Sequence, residues 1–223
     1  PVRPGHARRQ FLRGIGELAA NKLADAQKDF AAAVNIDPQA QYFEALGRSV
    51  EAQNQFDEAI RYFGDAIDHD PQYADPLIDR ARVHQTRREW NVSLADLEAA
   101  RKIDDRRADI YLMKGKAMYT LGDRKGSIGA FQQAIDRDGK DSEAYYGLGK
   151  AYYDLNNPGA AVSNLNRAIE LARPDVDWYP EAHRTLGYAY KAAHSKGEMC
   201  NTFKKFLEIA PSTLATGDVK QEL

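Results

Sequence analysis

The stretch Ser142–Arg173, SEAYYGLGKAYYDLNNPGAAVSNLNRAIELAR, decides the fold. Tyr145, Leu148, Tyr152 and Leu155 recur at helical spacing, with Gly149 where a neighbouring backbone must come close. A tight turn, Asn156-Asn157-Pro158-Gly159, follows, and a second periodic run then places Ala161, Leu165, Ala168 and Ile169 on one stripe. The reading is two amphipathic helices joined by a turn. Neither can hide its apolar face alone, so the hairpin requires neighbours of the same kind.

The rest of the chain supplies them. Residues 40–73 carry Gly47, Ala59, Phe63, Ala66 and Pro71 in the same order, and 74–107 carry Ala81, Ser93, Leu97 and Ala100. Residues 108–141 carry Gly115, Ser127, Phe131 and Ala134, with Gly139 at the end. Small residues at these places let the two helices of a repeat approach closely, and a closing Pro or Gly stops the second helix. The first repeat, about 7–39, has a clear second helix through Ala26, Phe30 and Ala33, closed by Pro38. Its first helix departs from the pattern, with Arg13 and Glu17 where the next repeat has Leu and Val. Either a polar N-terminal cap or the loss of a preceding repeat accounts for this. After 142–173 the register slips by four residues through an insertion at 174–179. A sixth repeat, 180–213, then resumes with Gly187, Tyr190, Phe203 and Pro211. There Met199 and Phe206 replace small residues, and looser packing is expected. Residues 1–6 read as a linker remnant, and 214–223 as a cap with a short helix at Asp218–Leu223. The expectation is one domain, 7–223.

A small residue, a second one twelve positions on, then an aromatic or Leu, then Ala and often Pro, at a period of 34, resembles the tetratricopeptide repeat (TPR). In the opening stretch Gly149, Ala161, Leu165 and Ala168 carry that motif, with Tyr152 at its usual Tyr place. The resemblance implies an all-α superhelical solenoid of six helix-turn-helix units, with the first helices lining a concave groove. It also implies a non-enzymatic module for protein–protein interaction. The chaperone-docking subclass of the family has paired Asn residues where this chain has Arg48, Arg82, Lys116 and Lys150, and Ala45, Asp79, Met113 and Gly147. The Asn pair is absent, and that function is not carried over.

Composition narrows the partners. Over 223 residues the formal net charge is −2, which disfavours a nucleic-acid or anionic-membrane surface built on bulk charge. One cysteine, Cys200, excludes an internal disulfide framework and a multi-thiolate metal site. No apolar run is long enough to span a bilayer as a helix. The chain opens on Pro1, so an excised domain or trimmed product is expected. The compartment stays open, with the cytoplasm favoured and the address outside this stretch.

Candidate binding residues come from rows one repeat apart. Arg48, Arg82, Lys116 and Lys150 follow each other at intervals of 34 and would form a ladder of donors in the groove. The competing reading pairs them along their own helices: Glu44 with Arg48, Asp79 with Arg82, and Asp154 with Lys150. Lys116 has no such neighbour, which makes it the first residue to test. A second row brings Tyr119 and Tyr153, and the neighbouring helix positions add Leu112, Met113 and Tyr146. Aromatics beside cations are the composition of interface hot spots, although neighbouring repeats would also bury such rings. The acidic row Asp75, Asp109, Glu143 and Glu181 sits in the first turn of each first helix and is explained by the helix dipole.

No catalytic constellation is present. The five histidines are scattered, His84 and Cys200 read as packed core, and Asp175 and Asp177 are too few for calcium. Trp178 is expected to cover the joint between the fifth and sixth repeats. The expected function is therefore an adaptor or assembly factor with no catalytic residues, no metal and no cofactor. It would hold a protein or peptide carrying acidic residues or a free C-terminus. A self-associating scaffold, or the regulatory domain of a larger protein, are the alternatives.

Overall fold

The computed structural model describes residues 4–210 and 216–223. Among these the chain is all-α, with thirteen helices arranged as six antiparallel hairpins and one short terminal helix. It divides into two compact units, Pro1–Arg106 and Arg107–Leu223, where the sequence suggested one domain.

The first unit holds α1 (Pro4–Ala19), α2 (Leu23–Ile36), α3 (Ala40–Glu51), α4 (Phe56–His69), α5 (Ala74–Thr86) and α6 (Trp90–Ile103). The second holds α7 (Ala108–Thr120), α8 (Arg124–Arg137), α9 (Ser142–Asp154), α10 (Pro158–Leu171), α11 (Tyr179–Ala192), α12 (Lys196–Ile209) and α13 (Gly217–Glu222). Residues 4–6 of the expected linker belong to α1, because a proline lacking an N–H is at home in the first turn of a helix. Residues 211–213 of the expected sixth repeat, Pro211 among them, and 214–215 of the expected cap lie outside the described residues.

One contact builds every hairpin. Each residue at the small position of a first helix faces a large one sixteen residues later on the second helix. A Cβ added to Gly14 would lie 2.7 Å from the Phe30 ring, to Gly47 2.6 Å from Phe63, to Gly115 2.6 Å from Phe131, and to Gly187 2.2 Å from Phe203. At Gly149 the facing group is Leu165, at 2.7 Å. Where Ala81 already brings a Cβ, the facing residue is the smaller Leu97, and both are buried. Gly14 gives the first repeat the same contact as the others. Its first helix is irregular only in Arg13 and Glu17, and Arg13 is used, donating to both carboxylate oxygens of the buried Asp29 on α2.

The turns are equally regular. Each hairpin passes through one left-handed residue: Asn21, Asn54, Arg88, Gly122, Asn156 and His194, with φ between 55° and 89°. Asn and Gly carry little penalty there. The second helices of the fourth and fifth repeats start on side-chain caps, Asp123 accepting from the Gly126 N–H at 2.8 Å and Asn157 from Ala160 at 3.2 Å.

Within each unit the first helices also touch: α3 meets α5, α7 meets α9, and α9 meets α11. No two second helices make comparable contact among the described residues. The first-helix side is therefore the inner side of each unit.

The sixth repeat is not loosely packed. Met199 and Phe206 are buried, because their bulk faces α13, whose Val219 is fully buried against them and Phe203. Asp218 fixes α13 by accepting from the Tyr188 hydroxyl at 2.6 Å and from Arg184 at 3.1 Å. His84 is core, as expected, and Cys200 is half-buried beside Met199 and Phe203. Tyr111 is buried, while Tyr145 and Tyr152 are half-buried.

Candidate site on the first-helix face

The four cations of the ladder all stand on the inner side, but their partners differ. Arg48 donates to Glu44 at 2.8 Å on its own helix and to Asp79 at 2.6 Å on α5. Arg82 donates to Asp79 and to Glu51 of α3, each at 2.9 Å. Tyr73 closes the set, its hydroxyl donating to Glu44 at 2.7 Å. Burial holds the Glu44 carboxyl above its ordinary value despite these donors. The first unit therefore presents an inner face whose cations are already matched.

Lys116 corrects the sequence reading. It lacks a partner on its own helix, yet its ammonium lies 2.6 Å from Glu143 in the first turn of α9. The acidic row therefore does more than serve the helix dipole. The Lys150–Asp154 pair of the competing reading does not form. Asp154 instead accepts from the Tyr119 hydroxyl at 2.7 Å and from Arg124 at 2.6 Å. Lys150 stands over two aromatic faces, 5.2 Å from the Tyr119 centroid and 5.3 Å from that of Tyr146. Among the described residues it has no carboxylate at ion-pair distance.

These groups enclose a pocket of about 130 Å³ between α7 and α9. Lys116, Tyr119, Thr120, Glu143, Tyr146 and Lys150 line it, with Phe131 and Gly147 at its base. Gly147 is decisive, since a Cβ there would lie 2.4 Å from the Phe131 ring. The walls are held. Arg124 sits 3.9 Å from the Tyr119 centroid, and Tyr146 stacks on Trp178 at 4.7 Å with 11° between the planes. Trp178 was expected to cover the joint between the fifth and sixth repeats, and its stacking contact is with Tyr146 on α9. Burial and the bond to Asp154 push the Tyr119 phenol up to about 12, and burial raises Tyr146 further, so both stay neutral donors at physiological pH.

Beyond Lys150 a second hollow of about 250 Å³ lies between α9 and α11, lined by Tyr153, Asp154, Glu181, Arg184, Thr185 and Tyr188. The structure therefore brings together Lys116, Lys150, Tyr119, Tyr146 and Tyr153. Leu112 and Met113 are half-buried on α7 and line neither hollow, and Arg48 and Arg82 belong to the first unit. Sequence reasoning missed Gly147, Trp178 and Arg124 as parts of the site. Only the repeat alignment, with Gly147 in line with Ala45, Asp79 and Met113, carried a signal for one of them.

Similarity to known proteins agrees with this architecture. A 100-residue stretch is 27% identical to DnaJ homolog subfamily C member 7 of Homo sapiens and of Mus musculus, covering 45% of this chain and 20% of each relative. The chain thus spans about a fifth of those curated relatives. Among solved structures, PilF of Pseudomonas aeruginosa superposes with a TM-score of 0.86 at 12% identity, over 98% of both chains. YrrB, described as a TPR protein with an unusual peptide-binding site, gives 0.71 at 16% identity over 86% of this chain and 97% of that one. MamA gives 0.68 at 23% identity over 79% and 96%. At such identities these likenesses show the fold alone. The tetratricopeptide repeat model matches residues 11–74 and 112–176, more than half of the chain. The chain belongs to the tetratricopeptide repeat family, whose fold serves as a protein–protein interaction module.

Proposed function

We propose that the chain is a non-enzymatic adaptor or assembly factor that holds a segment of a partner protein on its inner face, chiefly on α7, α9 and α11. The observation that carries this reading is the open aromatic pocket beside Lys150, a cation without a carboxylate among the described residues. Aromatic walls, one available charge and a hollow on either side of it form the composition of an interface hot spot. A partner segment bearing carboxylates complements it. Capture from a lysate of the source organism by wild type and by Lys150→Glu/Tyr153→Ala tests the reading. The double variant should lose the partner by tenfold or more while keeping its helical circular dichroism. Retention of the same partner at unchanged affinity would move the site elsewhere.

Self-association is a second reading favoured by one observation. Leu12 and Ile15 stand 57% and 45% exposed on α1, two large apolar groups only partly covered by the described residues of a single copy. Light scattering down a concentration series tests it. A constant monomer mass, or a mass unaltered by Leu12→Glu/Ile15→Glu, overturns it.

A further inference from the structure

Resting on the inner-face reading, we infer that the α7–α9 pocket seats one Leu- or Met-sized side chain of the partner segment, with the carboxylate of an adjacent internal Asp or Glu on Lys150. The volume sets the first half. About 130 Å³ is close to the roughly 150 Å³ of an apolar cavity that takes one benzene ring, and well below the roughly 300 Å³ at which small-molecule sites begin. One side chain fits there.

The base sets the polarity. Gly147 contributes no side chain, so the pocket ends on the Phe131 ring, and the two tyrosine rings supply the walls. An aliphatic group gains dispersion contact on three sides. Those walls are already fixed by Arg124, Asp154 and Trp178, so little ordering is left to oppose binding.

Charge sets the second half. Three charged groups line the pocket. Lys116 and Glu143 satisfy each other at 2.6 Å, which leaves the single charge of Lys150. One cation calls for one carboxylate, and a cationic neighbour in the ligand would be repelled. The carboxylate belongs to a side chain, not to a chain end, because the face continues past Lys150 into the hollow between α9 and α11. The segment passes along the face there.

Ten-residue Gly/Ser peptides, acetylated and amidated, with a central Leu-Asp, Leu-Asn, Leu-Lys or Gly-Asp, separate these requirements in an NMR titration. Leu-Asp should bind at least tenfold tighter than the other three and shift the Gly147 and Phe131 signals. Lys150→Gln should erase the preference for Leu-Asp over Leu-Asn while leaving that for Leu over Gly. Thr120→Trp, which covers the mouth from an exposed position, should erase the preference for Leu with the melting temperature unchanged. Equal binding of Leu-Asp and Leu-Asn, or no shift with any peptide at millimolar concentration, overturns the inference. Shifts confined to Arg184, Thr185 and Tyr188 overturn it too, but leave the inner-face reading standing. If the lysate partner is also retained by Lys150→Glu/Tyr153→Ala, both fail.

Discussion

The inner faces of the two units use the same register for opposite ends. Thirty-one residues before Arg82 stands Glu51, and the two form an ion pair at 2.9 Å. Thirty-one residues before Lys150 stands Tyr119, and there the cation lies over a ring at 5.2 Å. Three residues before Arg82 is the buried Asp79, which serves two arginines; three before Lys150 is Gly147, which serves none and opens a pocket. A row of like cations is therefore not a site by itself. The slots around each cation decide whether its charge is spent inside the protein or left for a partner.

Four experiments would break or sharpen that contrast. The largest effect should be common to both units, because both rest on the same helix contact. Gly47→Leu and Gly149→Leu force a side chain into Phe63 and Leu165, and overpacking should cost each about 3 kcal/mol. Chemical denaturation should show similar losses. A variant of near wild-type stability would mean that its repeat does not depend on the close approach.

Next come the ion pairs, where the units should differ. Asp79→Ala removes a buried carboxylate from two arginines. We expect a loss of about 2 kcal/mol, below the roughly 3–5 kcal/mol of fully buried pairs because both guanidinium groups reach water. Glu143→Ala breaks a half-exposed pair and should cost less than about 1 kcal/mol. Equal losses would dissolve the distinction between a closed face and an open one.

Tyr119→Glu writes the first unit's solution into the second. It should pair with Lys150 and weaken binding of the Leu-Asp peptide about tenfold, or about 1.4 kcal/mol, and should also lower the melting temperature, because it removes the bond to Asp154 and the stack with Arg124. Unchanged affinity in the titration would show that the ring and the available charge are both dispensable.

The smallest effect is in pH dependence, and its sign is opposite in the two units. The Asp218 carboxyl is held down to about 2 by hydrogen bonds from Tyr188 and Arg184, so its contribution is complete above its ordinary value of 3.8 and is lost as pH falls toward about 2. Burial raises the Glu44 carboxyl instead, so its contribution falls as pH rises through its ordinary value of 4.5. Acidification between about pH 4 and pH 2 should therefore loosen α13, read from the Val219 methyl signals, while the Glu44 contribution is already complete in that window and leaves Tyr73 unchanged. Simultaneous change at Val219 and Tyr73 would contradict this.

The hairpins were legible because their causes are local and repeated. Apolar residues at helical spacing, Gly or Ala facing Phe or Leu sixteen residues on, and closing turn residues specify each pair, and Gly14 could have been found from the same rule. The rows of cations and tyrosines were legible for the same reason, since equal spacing puts them on one side. Their partners were not. Glu143 reaches Lys116 from the next repeat, and Asp154 turns from Lys150 on its own helix to Tyr119 and Arg124. Helical spacing counts neighbours within one helix and is silent about those one helix away.

The sequence alone thus specifies that this chain folds as repeated helix hairpins, because a period of 34 records the same packing requirement over and over, and its motif residues carried the resemblance to the tetratricopeptide repeat. Which charges remain available was decided only in three dimensions. An ion pair needs two groups within about 4 Å, and that closeness is set by how one hairpin rests on the next. Gly147 shows both at once: a small residue in the sequence, and a pocket only once Phe131, Tyr119 and Tyr146 surround it.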